Sequence, residues 1–226
     1  MLRSLTLAAV AALALSACDS NGPSTEVDLQ VQVAADVVAD PANGRDPNTG
    51  RPTDSGRYTL YSLADNEVVL SYAETDPAVR QRDSASTRWD IGFQGTTIVV
   101  NGGDSGPGAG AGLIVEEAFA DVATAAGLAL RVDGQASCPS GPGLAVCTGG
   151  GNGWYTYVPA QNLILPTPGR TLVVRTADGD GYAKINFRSY YQGSPAEADI
   201  TPTTPSRYYS FEYVLNTEGQ AFVEAD

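Results

Sequence analysis

The side chains able to do chemistry in this chain are few, and the most versatile is missing: its 226 residues include no histidine. Without imidazole, no Ser-His-Asp triad, Cys-His dyad, His-ligated zinc or bis-His haem can be assembled. The single methionine is Met1. Carboxylates are plentiful, 26 against 13 basic groups, for a net charge of −13. Their spacing selects no catalytic pair, since Glu116 and Glu117 are neighbours and would leave a helix on different faces. Asp40, Asn43, Asp46, Asn48 and Asp54 crowd one segment with oxygens of the kind calcium favours. Prolines interrupt them and no EF-hand spacing appears, so the segment reads as a solvated loop. The chain therefore reads as no enzyme. Acidity and a single lysine, Lys184, also argue against nucleic acid, whose phosphates require a basic face.

Cysteine usage points outside the cytoplasm. Residues 1–18, MLRSLTLAAVAALALSAC, carry Arg3, a short apolar run and then Leu-Ser-Ala-Cys. This is the order of a bacterial export signal (residues 1–17) that ends in a lipobox, with Cys18 as the acylated anchor. An ordinary signal cut after Ala17 is the alternative. Residues 18–26 read as a small polar tether. With Cys18 lipidated, Cys138 and Cys147 remain, enclosing a Gly- and Pro-rich loop. In an exported protein the pair reads as a disulfide. Two thiolate metal ligands are the other reading, with no further Cys or His to complete a site.

Tyrosine is the other group with chemical reach, and 8 of the 11 lie after residue 150. Tyr155 and Tyr157 stand two apart on WYTYV, so a strand would put them on one face. Tyr190-Tyr191 and Tyr208-Tyr209 form two more pairs. Aromatics with a polar end suit a flat ligand, a sugar or a partner surface, and equally suit sheet packing with hydroxyls at the rim.

Strands must position these groups. Alternation marks strands at 27–33, 57–63, 67–72, 88–93, 96–101, 154–158, 170–176, 182–191 and 207–215, with turn residues between them. On the last, Tyr209, Phe211, Tyr213 and Leu215 share one face. Glu116 to Ala126, Ala-rich, is the expected short helix. The glycine run from Asn101 to Gly112 lacks the Gly-Lys-Ser/Thr ending of a phosphate loop and reads as a tight turn whose backbone packs closely. The expectation is an all-β fold, a single antiparallel β domain over residues 27–226 with one short helix.

Several segments in order resemble the HmuY family of haem-binding lipoproteins. They are Trp89-Asp-Ile-Gly-Phe93, the glycine run from Asn101, Gly153-Trp154, Val174-Arg-Thr-Ala-Asp-Gly179 leading to Ala183-Lys184, and Tyr209-Ser-Phe-Glu-Tyr213. The resemblance covers about residues 57–216. It implies an all-β domain, lipid-anchored at the outer membrane, that binds haem and passes it to an outer-membrane receptor. Family members hold the iron through histidine or methionine. The matching regions here, near Pro159 and within residues 134–148, contain neither. Tyrosine also holds ferric haem, which leaves Tyr155 and Tyr157 as the haem-binding candidates. Arg80, Arg82, Arg88 and Lys184 are the cations available for propionates. The alternative is an envelope binding module for a glycan, peptide or partner protein on the same scaffold.

Overall fold

Period-two alternation builds two antiparallel sheets whose apolar faces meet. The computed structural model describes residues 29–50, 52–201 and 203–223. The export signal, Cys18 and the tether lie outside them. In chain order the strands are β1 (Val31–Val38), β2 (Gly44–Arg45), β3 (Pro52–Thr53), β4 (Thr59–Ser62) and β5 (Glu67–Leu70). Helix α1 (Pro77–Ser84) follows, then β6 (Ile91–Gln94), β7 (Thr97–Val100), β8 (Ala111–Val115), β9 (Tyr155–Val158) and β10 (Leu163–Pro166). The last three are β11 (Thr171–Arg175), β12 (Tyr182–Tyr191) and β13 (Ser206–Asn216). One sheet has the order β1-β13-β12-β11-β8, the other β5-β4-β6-β7. Strands β9 and β10 form a separate hairpin, as do β2 and β3. The fold is all-β, as the alternation requires.

The inner face of β13 supplies Tyr209, Phe211 and Tyr213, all fully buried. Tyr61 meets Phe211 edge-on with ring centroids 5.4 Å apart, and Phe93 meets Tyr209 at 4.5 Å. These contacts join the two sheets, and each large buried ring contributes on the order of 2–3 kcal/mol of apolar burial. The tyrosine hydroxyls are satisfied inside: Tyr209 donates to Gly95 O and Tyr213 to Leu63 O.

Loops are tied to the sheets by buried polar groups. Asp90 accepts from Leu63 N at 2.9 Å and from Ala177 N at 2.9 Å, linking the end of β4 to the turn after β11. Asn101 donates to Ser86 O and Trp89 O and accepts from Gly108 N, which pins the glycine run. A side chain at Gly102 would place Cβ 2.0 Å from Gly110 O, so the run packs backbone to backbone and cradles no phosphate. The acidic segment is likewise internally engaged. Asp40 accepts from Ser55 N and Arg57 N, Asp54 pairs with Arg207 at 2.7 Å, and Asp46 takes the amides of Asn48 and Thr49.

Two expectations need correction. Residues 116–126 are turns, not a helix. Their carbonyls have other partners: Lys184 Nζ donates to Phe119 O and Val122 O, and Phe222 N to Ala123 O. The ammonium also lies 4.8 Å from the Phe119 ring centroid. A buried cation and the segment around Phe222 thus outweigh weak helix propensity. The one α-helix among the described residues is α1, capped by Asp76, whose side chain accepts from Ala78 N, with Pro77 in the first turn. Strand β1 also begins later than expected, at Val31, and runs through a bulge between Ala34 and Val37 that breaks the alternation.

Lys184→Ala is expected to strip two carbonyls of their donor and lower stability by roughly 1–3 kcal/mol, read by denaturant melts. Ligand affinity should be unaffected, because the ammonium is buried under its own chain. Asp90→Asn tests the other tie. Burial pushes the Asp90 carboxyl above its usual value of 3.8, with Asp178 and Asp65 adding to the effect. The native state then binds this proton more tightly than the unfolded chain. That contribution is fully present below about pH 4 and is lost as pH rises through the folded value. Wild type should exceed Asp90→Asn in stability, by a margin that narrows as melts move from about pH 4 to pH 7.

Candidate functional site

The two regions that the sequence singles out come together around the β9–β10 hairpin. Strand β9 pairs with β10 in register, Tyr155 opposite Pro166 and Tyr157 opposite Ile164. Trp154, just before β9, roots the hairpin in the core. Its ring centroid lies 5.0 Å from Tyr155, 5.1 Å from Phe187, 5.7 Å from Tyr190 and 5.0 Å from Tyr209. Its Nε1 donates to Thr96 O at 3.0 Å. Tyr155 joins this cluster and is buried. Tyr157, further out, is 44% exposed, and its hydroxyl donates to Asn162 Oδ1 at 3.0 Å. Asn162 closes the hairpin in the left-handed region, at φ 55°, which Asn tolerates better than most residues.

The cysteine loop stands beside the hairpin. Cys138 and Cys147 form the expected disulfide, with their Cα atoms 5.4 Å apart. Asp133 anchors the loop from below, accepting from Ala145 N at 2.7 Å and Val100 N at 2.9 Å. The chain between Thr148 and Gly153 runs directly from loop to hairpin. A side chain at Gly150 would bring Cβ within 2.9 Å of Tyr157 Cβ. Arg170 holds this strap, donating to Gly151 O at 2.9 Å and Gly153 O at 2.7 Å and pairing with Glu116 at 3.1 Å.

On its other side the hairpin overhangs a cleft of about 320 Å³ between β10 and β12. Pro166, Pro168, Phe187, Tyr190, Tyr191 and Ile200 form much of its wall, with Arg188 and Glu197 also lining it. Tyr191 Oη accepts from Ile164 N, so this phenol braces the hairpin. Burial pushes the phenols of Tyr190 and Tyr191 above the usual tyrosine value, which keeps them neutral.

Residues 54–213 match the family model of the HmuY protein. The chain belongs to the HmuY family. No curated protein matches it. HmuY proteins are haem-binding and envelope-associated. No helix among the described residues is long and apolar enough to cross a membrane.

A haem needs an iron donor, a flat apolar wall and cations for its propionates. The HmuY member described here meets these requirements unevenly. Both loop cysteines are consumed in the disulfide, and Tyr155 is packed against Trp154. Tyr157 alone on the hairpin presents an exposed phenol oxygen. The residues fit a single oxygen donor, not a grip from two opposed side chains. Of the expected cations, Lys184 is buried under residues 119–122, Arg82 and Arg88 both pair with Asp83, and Arg80 donates to Ser71 O and Glu74 O. Arg188, at the cleft beside the hairpin, is the exposed cation that sequence reasoning passed over; it pairs with Glu212 at 2.6 Å. Arg170 was also missed, and Tyr191 was singled out only as half of a tyrosine pair, without its bracing role. Their roles depend on partners 17 and 27 positions away, which no local pattern reveals.

Converting both Cys138 and Cys147 to serine should cost about 2–3 kcal/mol by the chain-entropy relation for so short a loop. Equilibrium unfolding with and without reductant measures it. Wild type should lose the same amount on reduction, and the double variant should be insensitive.

Proposed function

We propose that this chain is a lipid-anchored protein of the outer membrane that binds haem at the β9–β10 hairpin and delivers it to an outer-membrane receptor. Cys18 carries the anchor and Tyr157 supplies the oxygen donor to iron. The observation that carries the reading, beyond family membership, is the contrast between the hairpin's two tyrosines. Tyr155 is spent on the core, whereas Tyr157 is exposed and oriented by Asn162. A phenol that donates its proton to an amide oxygen keeps its own lone pairs free, and loss of the proton yields the hard anionic donor that ferric haem accepts. Iron bound in this way supplies a Lewis-acid centre that a phenolate satisfies. The protein's part is to hold the oxygen in place, with the strap at Gly150 backing the ring.

A second reading rests on the cleft under β10. Its proline and aromatic wall, with Arg188 and Glu197 among the lining residues, matches an envelope module that binds a glycan with no iron donor at all.

Titrating ferric haem into the purified full chain in detergent separates the two. Haem binding predicts a saturable Soret change with a tyrosinate-to-iron charge-transfer band. Tyr157→Phe should abolish that band and weaken binding at least tenfold, while Tyr155→Phe should leave both in place. A Soret band indifferent to the protein overturns the haem reading. Glycan-array binding that Arg188→Ala removes would then support the second.

A further inference from the structure

The two sheets leave one side of the sandwich open. Strand β1 ends the larger sheet and β5 ends the smaller one, so each presents an edge with no further strand partner among the described residues. Between them runs a groove of about 450 Å³, lined by residues of β1 from Val33 to Val38 and by β4 and β5 residues including Tyr61 and Val68. Two bonds tie the sheets together across it, Asn66 Nδ2 to Val33 O at 3.4 Å and Thr59 Oγ1 to Val38 O at 2.6 Å. Edge strands are normally blunted by lysine, proline, a bulge or a covering element. Neither strand here carries Lys or Pro, and each has a single bulge, between Ala34 and Val37 in β1 and between Val68 and Leu70 in β5. Val31, Val33 and Val68 are instead 53%, 61% and 43% exposed, three of the five large apolar side chains exposed among the described residues.

Charge decides what would cover this edge. Among the described residues, the ionisable carboxylates lining the groove are Asp36 and Glu67, and no Lys or Arg lines it. Asp36 sits on the β1 bulge at φ 52°, where its carboxylate accepts from Gly193 N at 2.9 Å. With a chain charge of −13 behind it, an anionic segment or a second copy of this chain would be repelled. We propose that the groove accepts an extended cationic segment of a partner protein, which adds as a strand to the exposed edge. Its backbone pairs with the β5 edge, its alternate apolar side chains cover Val33 and Val68, and its Lys or Arg residues face Asp36 and Glu67. This surface lies on other strands than the hairpin, and the proposal stands independently of haem.

Fluorescence anisotropy with the full chain in detergent tests it, using a labelled peptide of alternating valine and lysine. The expected result is saturable binding that falls at least tenfold when glutamate replaces lysine, and at least tenfold when alternate peptide amides are N-methylated. Val33→Thr combined with Val68→Thr should weaken binding similarly with the melting temperature retained. Should that variant fold poorly, Glu67→Gln, a surface change, should still weaken the cationic peptide alone. Equal binding of both peptide charges, or indifference to N-methylation, overturns strand addition. Sedimentation showing a dimer that the valine variants dissolve would make a second copy the occupant and overturn the cationic partner.

Discussion

Asp90 is where the architecture closes. A two-sheet sandwich is held by apolar contact between faces, which is strong but non-directional, and its loops could settle in many places on that core. One buried carboxylate removes the choice by accepting the amides of Leu63 and Ala177, which lie 114 positions apart in the chain, one at the end of β4 and one after β11. Its own backbone extends the tie, since Asp90 N donates to Tyr61 O and Asn101 N donates to Asp90 O. Asn101 then fixes the glycine run. Asp133 repeats the device one loop further on, joining Val100 to Ala145 and so orienting the disulfide loop. Each carboxylate suffers from burial, which opposes its charge, and each offsets that loss by satisfying amides that would otherwise be orphaned.

This arrangement explains which features were legible beforehand. Strand β12 appears over the expected residues 182–191, and Tyr209, Phe211 and Tyr213 share the buried face that a period of two requires. Such strands carry their own signal because one face meets the core along the whole length. The disulfide was legible for a chemical reason, the absence of any other ligand for its sulfurs. Elements decided by distant partners were not. Residues 116–126 have helix-like composition, but Lys184 and the segment around Phe222 take their carbonyls. Helix α1 is mostly polar and announces itself through Asp76 and Pro77 alone.

The candidate site shows the same limit more sharply. Periodicity places Tyr155 and Tyr157 on one side of β9 and cannot say where the core ends. The core ends between them. Trp154 fills the corner where the hairpin leaves the sandwich and takes Tyr155 into its ring cluster, while Tyr157 passes beyond the sheet edge. The strap held by Arg170 and the brace from Tyr191 complete the hairpin's footing. Rigid footing matters for a binding hairpin, because an exposed side chain on a loose loop must be ordered again when it meets a ligand.

That footing also separates what this family scaffold must keep from what it can exchange. Asp90, the glycine run and the aromatic face of β13 all serve the joint between sheets, where a substitution would orphan an amide or open a cavity. Tyr155 and Leu163 of the hairpin share that core, but its outward positions carry no such duty. Its exposed positions touch solvent and one another, as Tyr157 and Asn162 do. A donor can therefore be replaced there without cost to the fold, and a HmuY chain without histidine is physically reasonable. The family match, residues 54–213, contains both the constrained joint and the hairpin, and a shared scaffold does not fix the side chains at its rim. Haem affinity in this chain must accordingly be judged on the hairpin's own oxygen donor, since the joint between the sheets would look the same whichever ligand the rim held.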